Sequence, residues 1–362
     1  MIKSIKLQNF RQFEKLELDL DSMLTIILAK NTKGKSTILE AIHFVTNQNS
    51  PFTSDHSHLF RKEQEKENSY FRIDLGVQQD KETETYGIYQ DNRKRSFSRN
   101  GSKTTKRKFT ENLASNIFSP EQIEILMISP QQRRDFLDHL LSRYDLDFPE
   151  DLKRLRRALK QRNSYLKKLS KIFYETSEVR ANDQQLLYWT KVFAEGCIKI
   201  SKTRKDFIQK LTTSEMRIEY EPSMAFNELE EMAVDEDLIK LANEKILSSV
   251  KRDIATGYTH IGPHRDDWSI QTDKDIRIQG SRGEKRMAIG RLIFIFQDLL
   301  SDKVGFRPTL LLDDISSELD KENTGKILNE SVLKGNQVII TTISLEGFPK
   351  NFLKDAKIIE LE

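Results

Sequence analysis

The chain has 362 residues and a formal net charge of +3. This length predicts two or three compact units, and the near balance of charges excludes a uniformly basic protein, so a surface for nucleic acid has to be local. The single cysteine, Cys197, excludes an internal disulfide framework and a cysteine-rich zinc site. Because no apolar run approaches the roughly 18 residues of a membrane span and no signal-peptide core is present, we expect a cytoplasmic protein without a membrane partner.

Strand-like patterns dominate the first hundred residues. LTIIL (24–28) is short and continuously apolar, as expected for a strand covered on both faces, and helical spacing follows from Ile38 to Val45. Asn100-Gly101 is a strong signal for a hairpin turn. Alternating or continuous apolar residues predict strands at 5–7, 16–20, 24–28, 70–77 and 85–89.

From about residue 116 the apolar spacing becomes helical. Two apolar seams, from Leu152 to Phe173 and from Leu186 to Leu211, repeat at alternating intervals of three and four residues. A polar segment separates them, so they predict an antiparallel helical hairpin, a short arm of about three heptads per leg. The last third returns to αβ alternation, with a helix at 285–300 and buried strands at 308–314 and 336–342.

The stretch LAKNTKGKST (28–37) connects the buried strand to the helix that follows it. A phosphate-binding loop requires a small residue, four free positions and then Gly-Lys-Ser/Thr, and here Ala29 replaces the usual first glycine. We expect Lys35 to reach the β- and γ-phosphates of a nucleotide and Ser36 to bind Mg²⁺, while backbone N–H groups hold the phosphates. The predicted nucleotide-binding residues are Asn31, Thr32, Lys33, Gly34, Lys35, Ser36 and Thr37.

Two carboxylates end the predicted buried strand at 308–314. A carboxylate at the C-terminal end of such a strand is what a magnesium–nucleotide complex needs beside its loop. We therefore expect Asp313 to hold the metal ion and Asp314 to orient or activate the attacking water. A strand that simply ends in turn-forming acids is the alternative.

A second candidate anion site is GSRGEKR (280–286), which precedes the predicted helix at 285–300. A serine, a small turn and a helix N-terminus together present N–H groups to an anion. An ordinary helix cap has the same pattern.

These motifs, in this order and spacing, resemble the RecF family of bacterial recombination-mediator ATPases, within the class of ABC and structural-maintenance-of-chromosomes heads. The resemblance runs nearly from end to end, and GPHRDDW (262–268) and LLLDDISSELD (310–320) are its more discriminating parts. Its other parts are NFRQF (9–13), NTKGKSTILEAI (31–42), FSPEQIEIL (118–126), SPQQRRDFLD (129–138), ALKQRNSYLK (158–167), SRGEKR (281–286) and VIITT (338–342).

The resemblance implies an α/β fold, a P-loop ABC-type ATPase head with mixed sheets and helices, and an inserted all-α lobe that carries the short antiparallel arm. The implied parts are an N-terminal part of the ATPase lobe at 1–115, an α-helical lobe at 116–259 with the arm at about 150–212, and a C-terminal part of the ATPase lobe at 260–362.

The resemblance also implies an ATP-dependent homodimer with two composite sites. Ser281 and Gly283 of one subunit would contact the γ-phosphate held by Lys35 of the other. Three further regions have implied roles, namely a D-loop at Ser317 to Asp320, a glutamine-loop residue at Gln122 and a switch region at Thr341 and Thr342.

The implied activity is weak, DNA-stimulated hydrolysis of ATP to ADP and phosphate, with Mg²⁺ as cofactor. The implied partners are duplex and gapped DNA, including junctions of single and double strands, together with the RecO and RecR mediators and RecA, so the protein would act at the nucleoid. Two residues depart from patterns common in the class. Glu284 replaces a common glutamine. Asp314 replaces the glutamate of most ABC ATPases, and because the shorter carboxylate positions water less well, we expect slow hydrolysis that times a clamp.

Two basic runs are candidate DNA surfaces. Residues 93–108 hold eight Lys/Arg and residues 152–174 hold nine, and neither run contains an acid. A solvated helix face is the alternative. Because aromatic residues are not regularly interleaved with the charges, we expect contacts to the DNA backbone with little sequence preference and strong salt dependence.

Other assignments remain open from the sequence. GPHRDD (262–267) is either a salt-bridged loop or an interface or DNA-sensing loop. The whole chain could instead be an ATPase subunit that serves a nuclease, a small-molecule P-loop kinase, or a DNA-binding structural protein with an inactive nucleotide site.

Overall fold

The computed structural model describes residues 1–30, 32–53, 55–64, 69–79, 82–119, 124–127, 129–224, 236–314, 335–346 and 348–361. The chain forms two compact units, Met1–Glu124 with Ile289–Glu362, and Ile125–Ala288. Sequence patterns place the junctions near 115 and 259. Within the described residues, no helix is both long enough and apolar enough to cross a bilayer.

In chain order the elements up to residue 118 are β1 (Ile2–Phe10), β2 (Phe13–Asp19), β3 (Leu24–Leu28), α1 (Lys35–Asn47), β4 (Tyr70–Gln79), β5 (Glu82–Asp91), β6 (Arg95–Arg99), β7 (Ser102–Thr104), α2 (Lys106–Thr110) and β8 (Ser115–Phe118). They are followed by α3 (Pro130–Tyr144), α4 (Phe148–Thr176), α5 (Gln184–Leu211), β9 (Arg217–Glu221), α6 (Glu236–Ser248), α7 (Val250–Thr256), β10 (Asp267–Gln271), α8 (Ile276–Gln279) and α9 (Arg282–Val304). The last elements are β11 (Thr309–Leu312), β12 (Val338–Thr342), α10 (Lys350–Asp355) and β13 (Lys357–Glu360).

Two sheets form the first unit. In the described residues, one is antiparallel with the order β2-β1-β4-β5-β6-β7, and the other is parallel with the order β13-β3-β12-β11-β8. The strands expected from apolar alternation are therefore confirmed. The hairpin turn is also confirmed, since Asn100 and Gly101 join β6 to β7 with φ angles of 51° and 78°, which suit these residue types.

Helix α1 packs into the core that both sheets share. Ile42 and Phe44 of α1 are fully buried, as are Phe71 of the antiparallel sheet and Leu311 and Ile339 of the parallel sheet. Burial of this kind stabilises a helix more than its intrinsic propensity does. The start of α1, where the nucleotide loop ends, is therefore attached to a packed element.

Some strands gave no usable signal in the sequence. Ser115–Phe118 lies where a helical region was expected, yet it forms β8 and pairs in parallel with β11. All four of its residues are buried, so no alternation marks it as a strand. In the second unit β9 pairs with β10, and this two-stranded sheet accompanies the helices of the lobe.

The antiparallel helical hairpin is confirmed as α4 and α5. Asp151 near the start of α4 pairs with Lys199 of α5 at 2.7 Å, and Arg162, further along α4, bonds to Thr190 at 3.0 Å. The far end of the hairpin also contacts α7, because Leu166, Leu169 and Leu186 share a buried cluster with Val250 and Ile254. Helix α7 therefore covers part of the arm.

Arg162 occupies an apolar-seam position and is completely buried. Its Nη1 lies 2.8 Å from Oδ2 of Asp253 and donates to Thr259 Oγ1 at 2.6 Å. The basic run at 152–174 therefore contains one arginine that is structural, and this corrects the expectation that the whole run faces DNA. A charge without water needs such partners.

Candidate functional site

The predicted nucleotide loop lies between β3 and α1, the position that the sequence indicates. Gly34 immediately precedes α1 with a φ of 87°, a conformation that favours glycine. A Cβ at this position would lie 2.5 Å from Cζ of Phe13, which belongs to β2. The turn before β2 also holds the loop, because Gln12 Nε2 donates to the carbonyl of Thr32 at 3.0 Å.

Lys35, the first residue of α1, is buried and its ammonium lies over the loop. Nζ donates to the carbonyl oxygen of Ala29 at 2.5 Å and to that of Lys30 at 3.1 Å. Burial lowers the pKa of Lys35, and the nearby charges of Asp314 and Asp313 act to raise it. The structure therefore brings Lys35 together with both predicted carboxylates, at the C-terminal ends of β3 and β11.

Thr341 bonds to both aspartates, to the carboxylate of Asp313 and to the backbone of Asp314. Its hydroxyl donates to Asp313 Oδ1 at 2.5 Å and accepts a hydrogen bond from the backbone N–H of Asp314 at 3.1 Å. Asp314 has a φ of 43°, a left-handed conformation that is strained for a non-glycine residue and often marks a functional site. The sequence pointed to Thr341 only through the resemblance, whereas the parallel pairing of β11 and β12 explains its contacts.

A cavity of about 390 Å³ lies beside the first turn of α1. Arg11, which lines it, forms two hydrogen bonds of 2.7 and 2.6 Å with Glu40. The sequence did not predict this cavity, because the turn between β1 and β2 and the segment after α1 carry no phosphate motif. The lining residues are Arg11, Gln12, Ser36, Thr37, Glu40, Phe52, His58, Phe60, Lys62 and Glu63.

The oxygen atoms of Ser36 and Asp313 suit Mg²⁺, which prefers hard oxygen ligands and usually keeps waters and phosphate oxygens in its shell. In the described part of the chain, no three His, Cys, Asp or Glu side chains are grouped for a metal ion. A metal held jointly with nucleotide phosphates fits this arrangement better than a metal bound by protein alone.

Ser281 begins α9 with a capping box. Glu284 N donates to Ser281 Oγ at 3.2 Å, and Ser281 N donates to Glu284 Oε2 at 2.7 Å. Hydrogen bonds from Lys274 and Ser281 lower the pKa of Glu284 to about 2. The glutamate that departs from the common glutamine thus has a local role, and the charge of Lys274, 2.7 Å away, offsets its charge.

Gly283 has an unusual environment for a glycine. A Cβ added there would meet no other atom within 4 Å, and the residue is exposed. Glycine in a helix is roughly 1 kcal/mol less favourable than alanine. Packing within the described subunit therefore gives no reason for glycine at this position.

The other predicted residues of the loop are Thr32 and Lys33, which are exposed, and Thr37, which lines the cavity with Ser36. Asn31, Gln122 and the D-loop segment from Ser317 to Asp320 lie outside the described residues.

Helix α4 presents a basic stripe to solvent. The stripe consists of Lys153, Arg157, Lys160, Lys167, Lys168 and Lys171, which are all exposed and are spaced along one face. Over 18 residues it extends about 27 Å. Among the described residues, four basic side chains of α4 form ion pairs, namely Lys153, Arg154, Arg156 and Arg162. Lys153 is the one stripe member in this group.

The basic run at 93–108 is only partly available. Arg95 lies over the Phe44 ring at 4.5 Å and donates to Gln48 O, while Arg99 pairs with Glu84 at 2.7 Å. These two arginines stabilise the sheet, which corrects the expectation for them. The exposed members of the run are Arg93, Lys94, Lys103, Lys106, Arg107 and Lys108.

The GPHRDD segment is a salt-bridged loop for most of its length. Asp267 pairs with Arg133 at 2.6 Å, and Asp266 accepts hydrogen bonds from the hydroxyl of Tyr220 and the backbone of Ser223. Burial lowers the pKa of His264 to about 4, so this ring stays neutral at physiological pH. The role of a salt-bridged loop therefore accounts for every charged residue of the segment except Arg265.

Comparison with known proteins agrees with the sequence resemblance. The family model described as RecF/RecN/SMC N terminal domain matches residues 1–356. The DNA replication and repair protein RecF of Clostridium tetani (strain Massachusetts / E88) is 29% identical over 371 residues, which cover 100% of this chain and 98% of that protein. RecF of Bacillus cereus (strain G9842) is 29% identical over 393 residues, with 99% and 96% covered.

Solved structures show the same fold. The recombination mediator protein RecF-ATPrS in the RecFOR pathway has a TM-score of 0.78 and 28% identity, and the match covers 96% of this chain and 94% of that one. RecF-ATP in the same pathway also has a TM-score of 0.78 and 28% identity, with 95% and 92% covered. The expected α/β ATPase-head fold is confirmed, and the chain belongs to the RecF/RecN/SMC N-terminal domain family.

Proposed function

We propose that this protein is an ATP-dependent DNA-binding protein of replication and recombinational repair, which dimerises on ATP, binds duplex or gapped DNA and hydrolyses ATP slowly. The observation that carries the nucleotide part is the buried Lys35 ammonium, held over the loop carbonyls of Ala29 and Lys30 with the charges of Asp313 and Asp314 nearby. The relatives bear the names of DNA replication and repair proteins, and the solved ones hold ATP or ATPrS.

Each residue of the nucleotide site has a distinct role in this proposal. Loop N–H groups from Asn31 to Gly34 and the start of α1 bind the phosphates, together with Ser36 and Thr37. Lys35 exchanges its bonds to loop carbonyls for bonds to the β- and γ-phosphates. Mg²⁺, held by Ser36 and Asp313, would neutralise charge on the phosphates.

Asp314 acts as the general base or water-orienting residue. Its backbone is held by the hydrogen bond to Thr341 and has a left-handed φ of 43°. A carboxylate one methylene shorter than glutamate reaches less far toward an attacking water. Slow hydrolysis follows, and this suits a clamp whose bound time depends on the nucleotide.

A second subunit completes the site through Ser281 and Gly283. Gly283 supports this arrangement, because its subunit gains nothing from glycine there, whereas a phosphate approaching the start of α9 needs an uncovered backbone. Two copies joined head to tail would then enclose two ATP molecules.

Replacing Ser281 with arginine should abolish ATP-dependent dimerisation. The longer side chain would fill the space that the γ-phosphate of the partner needs at the helix start. Sedimentation velocity of the wild type and of Ser281→Arg, each with and without a non-hydrolysable ATP analogue, measures the effect.

Loss of the helix cap is the alternative cause of such a defect, since it costs about 1 kcal/mol. Gly283→Ala is the matched variant, because a methyl group there meets no atom of the described residues outside its own helical turn, and alanine has the higher helix propensity. This variant should melt no lower than the wild type and still dimerise less. Unchanged ATP-dependent dimerisation in both variants would contradict the composite site.

The basic stripe of α4 carries the DNA part of the proposal. Its exposed lysines and arginine lie along about 27 Å, which corresponds to about eight steps of duplex along one strand. Lysine is a point charge without the fixed geometry needed to read base edges. The stripe therefore suits phosphate contacts without sequence preference.

Replacing Lys160 and Lys167 with glutamine should weaken duplex binding on every sequence and lower the salt slope of log K by about one for each lysine removed. Fluorescence anisotropy of duplex DNA across a salt series measures both quantities. Lys199→Gln is the control, because this lysine is already paired with Asp151 at 2.7 Å. An unchanged salt slope in the double variant would place the DNA elsewhere.

The mediator role belongs to the same proposal. By analogy with the RecFOR pathway of the solved relatives, RecO, RecR and RecA are the expected protein partners, and the protein would act at the nucleoid in the cytoplasm. We expect DNA to stimulate ATP hydrolysis, so that binding of DNA and turnover of ATP are linked.

A further inference from the structure

The GPHRDD loop holds Arg265 in a fixed position and leaves its side chain in solvent. Gly262 has a φ of 134°, and a Cβ there would lie 2.7 Å from the Phe193 ring. Pro263 O accepts from Arg204 at 2.7 Å, and the Arg265 N–H closes a turn onto Gly262 O at 2.8 Å. The loop is thus rigid on both sides of one exposed arginine.

Arg265 lies over an exposed aromatic ring. Its Cζ is 5.7 Å from the centre of the Tyr258 ring, which is 42% exposed. On the same tyrosine, the His260 ring lies at 4.4 Å between centroids with a tilt of 33°. The three side chains therefore form a small stack that ends at the Arg265 guanidinium.

The stack is attached to the buried ion pair of the hairpin. Asp253, which binds Arg162, also lies 2.8 Å from Nδ1 of His260 and accepts the His260 N–H at 3.1 Å. Such attachment orders the rings in the free protein, so a ligand would lose little entropy on binding.

The stack lies beside the basic stripe. Gly257, the neighbour of Tyr258, has a φ of 76° and packs against Lys167 of α4. A Cβ added to Gly257 would lie 3.5 Å from Cγ of Lys167. Helix α7 contributes two more exposed bases, Lys251 and Arg252. In the described part of the chain, no carboxylate forms an ion pair with Arg265, Lys251 or Arg252.

We propose that Arg265 and Tyr258 form a stacking site for an unpaired nucleobase of a strand whose phosphates lie on the α4 stripe. Unstacked nucleobases lie on arginine planes and aromatic rings, and the surrounding lysine and arginine side chains attract the phosphates. A duplex alone would leave the site empty, because its bases stack on one another. The inference rests on the proposed DNA-binding function.

The test compares three DNA probes in the presence of ATP. The first is a blunt duplex, the second is the same duplex with a single-stranded adenine tail, and the third has a tail of equal length made of abasic nucleotides. The full-length wild type should bind the adenine tail at least about fivefold more tightly than the abasic tail, since one stacked base provides that difference.

Arg265→Ala and Tyr258→Ala should each remove most of that fivefold difference and leave blunt-duplex affinity within about twofold. Tyr258→Phe keeps the ring and should retain the difference. Tyr188→Ala is the matched control, because Tyr188 is an exposed tyrosine of α5, 61% accessible, in the same unit. Thermal melting of each variant shows that it is folded.

Two results would overturn the stacking site. One is equal wild-type affinity for adenine and abasic tails. The other is an equal loss of affinity on all three probes in Arg265→Ala, which would reduce its role to charge. Absence of salt-dependent duplex binding by the wild type would instead contradict the proposed function itself.

Discussion

Replacing Lys35 with alanine should lower ATP hydrolysis by a factor of at least about 100 and abolish ATP-dependent dimerisation. Lys35 is buried, and its ammonium donates to the carbonyl oxygens of Ala29 and Lys30 in the loop. Loss of one preorganised charged donor in such a site costs a factor of about 100 to 1,000 in rate. Phosphate release with and without DNA measures the activity.

The variant Lys6→Ala is the control for loss of a lysine in the same unit. Lys6 lies on β1 and pairs with Glu17 at the surface, with 57% of its side chain exposed. It should hydrolyse ATP and dimerise like the wild type. Hydrolysis by Lys35→Ala within threefold of the wild type would contradict the assignment of this lysine to the phosphates.

The second large effect concerns stability. Replacing Arg162 with methionine should destabilise the unit Ile125–Ala288 by about 3–5 kcal/mol, because it leaves Asp253 buried without its arginine partner. Both side chains have no solvent exposure. Burial lowers the pKa of Arg162, and the charge of Asp253 offsets only part of that effect. Urea unfolding followed by circular dichroism measures the change.

Arg156→Met is the matched control on the same helix. Arg156 is 60% exposed and its nearest carboxylate, on Asp135, is 3.5 Å away, so its loss should cost less than about 1 kcal/mol. The double variant Arg162→Met with Asp253→Leu should recover much of the lost stability, since apolar side chains can replace a buried ion pair. A cost below about 1 kcal/mol for Arg162→Met alone would contradict this account.

The nucleotide motifs could be identified from the sequence because their chemistry is local. The loop from Ala29 to Ser36 connects a strand to a helix, so consecutive residues supply both the N–H groups and the lysine. The contact of Phe13 with Gly34 was not predictable in the same way. It depends on where the turn between β1 and β2 packs, and residues 13 and 34 have no periodic relation.

The charge patterns did not show which basic residues are available to DNA. The basic runs identified two surfaces correctly as exposed, yet Arg95, Arg99 and Arg162 belong to the folded interior or to ion pairs with Glu84 and Asp253. A sequence gives the number of charges in a segment but not the partners that distant segments bring to them.

The sequence by itself determined the strands and helices with clear apolar spacing, the position of the candidate phosphate loop and its two acids, and the antiparallel helical hairpin, because these follow from spacing between near neighbours. Tertiary structure alone decided that Thr341 bridges Asp313 and Asp314, and that within GPHRDD only Arg265 is exposed while the other residues are buried or half-buried. Those arrangements join segments that are far apart in the chain. Their geometry depends on sheet order and helix packing, which local periodicity does not encode.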